Sequence, residues 1–354
     1  MTLIKSRKAD HINICLNKNI EPGYNYWKDV KLMHEALPEI DMDDIDMGSV
    51  VMGRRLEFPF IVTAITGGFE GAVKINSNIA EACAELGIGM GVGSERAGIE
   101  GVDTASYEVI KDKGVPLVIG NVGAPQLIAQ KKKDAFSIED IQRAKDLIDA
   151  DFVAIHLNFL QEVVQPEGDT KGKGCYDAIR AAAREVPLIV KETGAGISND
   201  TIQKIKGIGI NGIDLAGMGG TSFSAVELYR AQDTSDAIRA RLGETFFDWG
   251  IPTPVSLQCA DCSLPLIASG GVRTGLDVAR AIAMGACAAG AANLVLAEAM
   301  ESAEAVKNKL MLIREELRAA MLLTGSATIK DLSKKKYTII GETQQWLRGM
   351  EYGY

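Results

Sequence analysis

Eight short apolar runs, each followed by glycine or polar residues and then by a helical pattern, constrain the fold of this sequence most strongly. The alternation starts at Phe58 and continues to about residue 325. Strand-like runs that alternate with helical periodicity are typical of repeated βα units and a parallel sheet. The sequence therefore predicts an α/β fold, a (β/α)8 TIM barrel, with strands at 59–65, 87–92, 116–120, 151–155, 187–190, 211–215, 265–268 and 286–289.

A doubly wound open sheet is the main alternative to the barrel. Such a sheet would carry a glycine-rich fingerprint after its first strand and an acidic residue at the end of its second. Neither feature is present. The eight alternations therefore favour the closed barrel.

The barrel leaves room for additions. The chain has 354 residues, and a barrel of roughly 200 to 250 residues leaves about 100 outside it. We predict an N-terminal extension over 1–55 that contributes to the substrate site, a barrel over 56–325 and a less regular C-terminal tail over 326–354. A charge-rich insertion after strand six, 223–249, is either a lid or a surface helix.

Charge and composition exclude several classes of function. The formal net charge of −9 argues against a general nucleic-acid or anionic-membrane binder, which needs a basic field. No apolar run reaches the roughly 18 to 20 residues that span a bilayer, and no signal-peptide core follows Met1. We expect a cytoplasmic protein with reduced thiols, in which the Cys259-Ala-Asp-Cys262 spacing falls in a helix and is neither a zinc site nor a redox motif.

Polar side chains follow the fourth predicted strand. The apolar run from Phe152 to Ile155 is succeeded at once by His156, Asn158, Gln161 and Glu162. In a parallel barrel this is the C-terminal mouth, where ligands bind. An ordinary strand-to-loop transition with a satisfied histidine would explain the segment equally well on its own.

The other strand ends decide between these interpretations, because all parallel strands of a barrel open onto one mouth. The convergent residues are Thr66, Ser94, Arg96, Asn121, Lys191, Thr221, Ser222 and Arg273. Gly270-Gly271 and Gly290-Ala-Ala292 occupy the loops after strands seven and eight, which often hold a phosphate on backbone N–H groups.

Lys191 ends a buried strand, which is costly unless the ammonium group meets an anion or an electron-rich ligand. With a ring cofactor anchored by its phosphate at strands seven and eight, Lys191 would stabilise negative charge on a reduced flavin. Thr66 and Asn121 would then hydrogen-bond the heteroatoms of the ring. Pairing with the neighbouring Glu192 is the alternative.

A set of ordered motifs resembles one enzyme family, the type 2 isopentenyl-diphosphate isomerases. The similarity covers about residues 5 to 300, and its most specific parts are the basic pair near the N-terminus, Ser-x-Arg and His-Leu-Asn-x-x-Gln-Glu. The motifs are Arg7-Lys-Ala-Asp-His-Ile12, Ala64-Ile-Thr-Gly-Gly68, Gly93-Ser-Glu-Arg96, Gly120-Asn-Val-Gly123, His156-Leu-Asn-Phe-Leu-Gln-Glu162, Val190-Lys-Glu192, Gly219-Gly-Thr-Ser222, Asp248-Trp-Gly-Ile-Pro-Thr253 and Ser269-Gly-Gly-Val-Arg273.

The resemblance implies interconversion of isopentenyl and dimethylallyl diphosphate with reduced FMN and Mg2+, NADPH as reductant, and a homo-tetramer or homo-octamer. It implies substrate contacts by Arg7, Lys8, Ser94, Arg96, His156, Asn158 and Gln161, and a metal ligand in Glu162. It implies FMN contacts by Ala64, Ile65, Thr66, Ser94, Asn121, Lys191, Thr221, Gly270, Gly271, Val272, Ala291 and Ala292.

Two departures from the family pattern are visible. Ala216 stands where serine is frequent, and Gly290-Ala-Ala-Asn-Leu lacks a frequent proline. Among the catalytic candidates, Gln161 would orient or relay, His156 would bind diphosphate and Lys191 would support the flavin. The reduced flavin N5 is the best candidate acid and base.

Two other classes remain open on the sequence. An FMN-dependent oxidoreductase of the 2-hydroxy-acid oxidase type would need a histidine base near strands six to eight. The three histidines are His11, His34 and His156, and none lies there. A phosphate-ligand-binding barrel without catalysis would contain no flavin.

Overall fold

The protein is described from a computed structural model that covers residues 3–131 and 133–351, with side chains described from Arg7 to Met350. Eight parallel strands close into a barrel in the order β10-β11-β4-β5-β6-β7-β8-β9. The (β/α)8 prediction is confirmed. The barrel strands are β4 (Phe60–Val62), β5 (Gly89–Gly91), β6 (Val118–Gly123), β7 (Phe152–His156), β8 (Leu188–Lys191), β9 (Gly212–Asp214), β10 (Leu266–Ser269) and β11 (Ala288–Ala291).

Helices surround the barrel and connect its strands. Two of these helices start at capping boxes. The hydroxyls of Ser137 and Thr274 accept from the backbone N–H of Asp140 and Asp277, and the carboxylates of these two acids accept from the backbone N–H of the capping residue. The helices between β4 and the end of the barrel are α2 (Glu70–Leu86), α3 (Arg96–Ile99), α4 (Ala105–Glu108), α5 (Ile138–Leu147), α6 (Phe159–Val164), α7 (Cys175–Ala182), α8 (Asn199–Ile205), α9 (Phe223–Asp233), α10 (Ala237–Thr245), α11 (Thr253–Cys259), α12 (Gly275–Ala283), α13 (Leu296–Glu301) and α14 (Ala303–Leu322), with 3-10 turns at Ala124–Leu127 and Asn293–Val295.

The N-terminal extension covers both ends of the barrel. It contains α1 (Leu3–Asn17), 3-10 turns at Tyr26–Asp29 and Met42–Asp44, and strands β1 (Val30–Leu32), β2 (Ser49–Val51) and β3 (Arg54–Leu56). Val51 and Leu56 of the β2–β3 hairpin pack with interior barrel residues such as Ile189 and Ile267. The hairpin therefore closes the floor of the barrel, whereas α1 reaches its mouth.

The C-terminal tail is more regular than its sequence suggests. It contains α15 (Ile329–Leu332), β12 (Tyr337–Ile339) and α16 (Gly341–Glu351), and β12 pairs antiparallel with β1. Buried Asp29 accepts hydrogen bonds from the backbone and hydroxyl of Thr343, 2.9 Å each. Tail and extension thus form one structure against the barrel. Across the described residues, no helix combines the length and apolar character that a membrane crossing requires.

The interior of the barrel changes from apolar to polar toward the C-terminal ends of the strands. Ile119, Ala154, Ile189 and Ile267 belong to the interior core. Side chains alternate along a strand, so residues two positions further on point to the same interior. Those residues are Asn121, His156, Lys191 and Ser269. This polar layer is the floor of the mouth.

Candidate active site

One cavity of about 530 Å³ opens at the barrel mouth. Every residue predicted for substrate, cofactor, metal or catalysis lines it, from Arg7 and Lys8 on α1 to Ala291 at the end of β11 and Ala292 after it. Its walls also include His11, Glu21, Gln126, Gln165, Arg273 and Lys309. The structure thus brings the whole predicted set together in a single chain, and the basic pair of α1 faces its own barrel.

His156 and Asn121 form the centre of the polar layer. The two side chains are hydrogen-bonded, His156 Nδ1 to Asn121 Oδ1 at 2.7 Å, while Asn121 Nδ2 donates to the Val92 carbonyl at 2.9 Å. Burial, helped by the charges of Lys191 and Lys8, lowers the pKa of His156 to about 3. The ring is therefore neutral near pH 7, and it binds a diphosphate as a cation only if it takes up a proton with the ligand.

A buried acid that sequence reasoning missed orients Gln161. The carboxylate of Glu227 on α9 is fully buried. It contacts Gln161 Nε2 at 3.1 Å, His11 Nε2 at 2.9 Å and Arg230 at 2.5 Å. Burial alone would raise the pKa of Glu227, but His11, Arg230 and Gln161 lower it to about 2. Glu227 is thus ionised and accepts from the Gln161 Nε2, while the Gln161 Oε1 accepts from Asn158 Nδ2 at 3.2 Å, so that both ends of the amide are held.

The insertion after strand six is accordingly part of the site and more than a surface decoration. It forms α9 and α10, which pack so closely that a Cβ on Gly243 would lie 2.6 Å from Leu228 Cβ. His11 reaches Glu227 from α1, 216 residues away in sequence. No local sequence pattern predicts such a contact. The one indication in the sequence was an isolated acidic residue among apolar neighbours in the insertion.

Glu162 and Asn158 present oxygen ligands to the cavity. Glu162 Oε2 accepts from the Asp169 N–H at 2.6 Å and Oε1 from Asn158 Nδ2 at 3.1 Å. Burial raises the pKa of Glu162, while Asp169 N–H, Asn158 and Arg7 oppose the rise. Asn158 Oδ1 is buried and has no hydrogen-bond partner. An unsatisfied amide oxygen beside a buried carboxylate fits a hard cation.

A complete protein cage for a metal is absent from the described part of the chain, where no three His, Cys, Asp or Glu side chains cluster suitably. That arrangement is compatible with Mg2+, which usually binds through one or two carboxylates together with waters and substrate phosphates. The donor set at Glu162 therefore fits Mg2+ held jointly with a phosphorylated ligand.

The basic residues of the mouth are held by specific partners. Lys8 Nζ donates to the Ser94 carbonyl at 2.8 Å and to the Tyr107 hydroxyl at 3.3 Å. Arg96 donates to Glu100 at 2.8 Å and to Asp169 at 3.2 Å. Burial, then repulsion from Arg7, lowers the pKa of Lys8 to about 7. These residues present an anion-binding surface although the whole chain is acidic.

Glycines bring the loops after β9 and β10 into contact. Gly270 and Gly271 have φ angles of 99° and 73°, a region that favours glycine. A Cβ on Gly270 would lie 2.2 Å from the Gly217 carbonyl, and one on Gly220 would lie 2.7 Å from Gly271 N. Arg273 ties these loops to the extension through Gly219 O and Glu21, 2.7 Å each. Such close backbone approach forms a cradle suited to a cofactor phosphate.

Lys191 lies in the same cavity and is almost completely buried. Its Nζ donates to the Glu192 carbonyl at 2.7 Å. The Glu192 carboxylate accepts instead from the N–H groups of Thr193 and Gly194 at 2.6 and 2.8 Å. Among the described residues Lys191 and Glu192 thus form no direct ion pair, although their charges interact electrostatically. Ala216, one departure from the family pattern, adopts φ 38°.

Residues 175–339, which contain Lys191 and the glycine cradle, match the family described as FMN-dependent dehydrogenase. Solved structures of mandelate oxidase share the fold. One, with a C4a-OH-FMN adduct, has a TM-score of 0.61 at 17% identity and covers 96% of this chain and 99% of its own. Another, with benzoyl-formic acid, has a TM-score of 0.59 at 17% identity, with 94% and 98% covered.

Relatives of much higher identity narrow this class. The isopentenyl-diphosphate delta-isomerase of Thermoplasma acidophilum is 46% identical over 349 residues, and that of Thermoplasma volcanium is 44% identical over 346, each match covering 98% of this chain and 99% of the relative. The enzyme of Methanosarcina mazei is 43% identical over 347 residues, 96% and 93% of the two chains. The chain belongs to the isopentenyl-diphosphate delta-isomerase family.

Proposed function

We propose that this protein interconverts isopentenyl and dimethylallyl diphosphate with reduced FMN and Mg2+. The observation that carries the proposal is a single cavity lined both by the glycine cradle with Lys191 and by the cations Arg7, Lys8 and Arg96. A flavin phosphate and a substrate diphosphate need separate anion sites. This cavity offers residues for both.

The reaction adds a proton to an unactivated alkene and removes one two carbons away, which requires a strong acid in a dry pocket. The side chains at this site are poor candidates. His156 is neutral with a pKa of about 3, Glu227 is ionised with a pKa of about 2, and an amide such as Gln161 has no useful pKa. Reduced FMN, when bound, would supply the acid and base through N5.

The chain's own residues then bind and orient. Gln161, fixed by Glu227, aligns the reacting end of the substrate. Arg7, Lys8 and Arg96 hold the diphosphate, with Ser94 and His156 beside them. Asp169 joins this group to the metal ligand, because its carboxylate contacts Arg96 and Lys133 while its N–H binds Glu162. Glu162 and Asn158 would hold Mg2+.

The cofactor contacts are proposed in the same way. Lys191 and Asn121 would face the ring, together with Ala64, Ile65 and Thr66. The phosphate would rest on the loops at Thr221 and at Gly270 to Val272, and on the end of β11 at Ala291 and Ala292. NADPH as the reductant, the homo-tetramer or homo-octamer, and the division at residues 55 and 325 remain predictions.

A 2-hydroxy-acid oxidase is the second candidate, since mandelate oxidase shares the barrel. A barrel oxidase requires a base for its substrate, and no histidine follows His156 in the sequence. A phosphate-binding barrel without turnover is the third. Neither explains why Glu162 and an unsatisfied Asn158 oxygen line the same cavity as three basic side chains.

An anaerobic assay in heavy water distinguishes the three candidates. With isopentenyl diphosphate, FMN, Mg2+ and a substoichiometric reductant, we expect many turnovers per flavin and deuterium in the dimethylallyl product. Reduction of oxidised FMN by a 2-hydroxy acid, with formation of the 2-oxo acid and no isomerisation, would support the oxidase instead. A colourless protein without turnover would support the binding barrel.

We expect kcat/KM for isopentenyl diphosphate to fall as pH rises through about 7, because Lys8 in the enzyme without substrate then loses its positive charge. Lys8→Arg should remain flat over this range, since arginine stays protonated. Lys8→Ala should be low at all pH values, by about ten- to a hundredfold, as expected for loss of a hydrogen bond to a charged group of about 1.5–3 kcal/mol. The same fall in Lys8→Arg would assign the titration to another residue.

A further inference from the structure

Beneath the cavity, Lys191 has an acidic neighbour on the adjacent strand. Asp214 on β9 is the register partner of Lys191 on β8, so both side chains point to the same face of the sheet. That face is the barrel interior. Gly212, two residues before Asp214, points the same way, and a Cβ built on Gly212 would lie 3.0 Å from the sulfur of Met52 in the β2–β3 hairpin that closes the barrel. Asp214 is 2% exposed.

Asp214 accepts a hydrogen bond from a neighbouring serine and borders a small cavity that contains a few polar groups among apolar ones. Ser269 Oγ donates to its Oδ1 at 2.5 Å. Burial raises the pKa of Asp214, while Lys191 and Ser269 oppose the rise. A second cavity of about 20 Å³ is lined by Asp214, Lys191, Asn121 and Thr63. A space of this size admits one water molecule between polar groups.

The Lys191 ammonium lacks a carboxylate in direct contact. Its hydrogen bond within the described chain is to the Glu192 carbonyl, and the Glu192 carboxylate is occupied by backbone N–H groups. A buried cation without a counter-charge is strongly unfavourable. Glu192 and Asp214 both interact electrostatically with Lys191, and of the two it is Asp214 that lines the small cavity together with the lysine.

We propose that Asp214, held by Ser269, is a positioning residue that acts as the counter-charge of Lys191 and so limits how strongly Lys191 stabilises negative charge on reduced FMN. The inference rests on the proposed place of FMN above Lys191. An acid below Lys191 partly cancels the positive potential that the lysine creates in the cavity. Removal of the acid therefore makes the potential in the cavity more positive.

The test is the two-electron reduction potential of the FMN holoenzyme, measured for wild type and Asp214→Asn. A more positive local potential favours the anionic reduced cofactor, so the potential of Asp214→Asn should become more positive. We expect about a tenfold change in the reduction equilibrium, equivalent to ~30 mV. A merely structural role would lower the melting temperature and leave the potential of the folded holoenzyme unchanged.

Asp29→Asn is the matched control, because Asp29 is also a buried acid but is bound by Tyr24 and Thr343 in the extension and tail. Its potential should equal that of wild type. If Asp214→Asn does not fold, Ser269→Ala decides: loss of the hydroxyl donor favours protonation of Asp214 and should shift the potential in the same direction. An unchanged or more negative potential in the variant that folds overturns the inference. Wild-type protein that binds no FMN would instead remove the proposed cofactor role.

Discussion

Lys191→Ala is expected to be nearly inactive, even when the enzyme is supplied with FMN that has already been reduced. Lys191 ends β8 in the polar floor of the cavity and is 8% exposed, so water cannot replace its charge. Removal of one preorganised electrostatic group from a closed site typically lowers kcat by roughly a hundred- to a thousandfold. We expect a loss of that size in single-turnover isomerisation under anaerobic conditions.

Two variants separate a loss of charge from a loss of packing. Lys191→Arg keeps the positive charge and should retain more activity than alanine, although the larger group fits the buried position less well. Lys307→Ala removes a partly exposed lysine of α14 that pairs with Glu85, and it should behave as wild type. Full activity of Lys191→Ala with FMN bound would exclude an electrostatic role for this lysine.

The barrel was predictable because its strands are recorded in the sequence as apolar runs between glycine-rich ends. The exact ends of the strands were less predictable. β6 continues through Asn121 to Gly123, whose polar and glycine residues end the apolar run, yet these residues still pair with Ala154 to His156 of β7. β4 stops at Val62 although the predicted strand continued to Ile65, because the segment 63–65 lines the cavity. Pairing depends on the neighbouring strand, which composition does not describe.

The site was predictable to the extent that it depends on strand ends. Parallel strands of one barrel deliver their C-terminal residues to one mouth, so Thr66, Asn121 and Lys191 could be grouped without coordinates. Side chains that act through these strand-end residues could not be grouped with them from the sequence. Glu227 lies on a helix of the insertion, and Asp214, which ends β9, falls inside the longer strand predicted over 211–215. Each is recognisable only from contacts with Gln161 or Ser269 that connect distant parts of the chain.

The C-terminal tail shows the same limitation. β12 has three residues, too few for a clear periodic pattern, and is stabilised by pairing with β1 about 300 positions earlier in sequence. Asp29 binds the first turn of α16 through Thr343. The extension and tail therefore define each other, and Trp27 Nε1, which donates to Gly270 O at 3.0 Å, connects them to the glycine cradle.

Glu162→Gln should abolish Mg2+-dependent isomerisation while the protein keeps its FMN. A hard cation prefers an anionic oxygen to a neutral amide, whereas the Asp169 N–H that donates to Glu162 can still donate to an amide oxygen. The fold should therefore persist while activity falls about a hundredfold or more, since loss of even an outer partner of a metal ligand costs 10- to 100-fold. Titration of activity with MgCl2 provides the measurement, and flavin absorbance reports FMN content.

Glu316→Gln, which removes a carboxylate from α14 that accepts from Gly275 N, should keep the wild-type Mg2+ dependence. An unchanged Mg2+ dependence in Glu162→Gln would place the metal elsewhere, and a loss of FMN would mean that Glu162 supports the cofactor cavity instead of the cation.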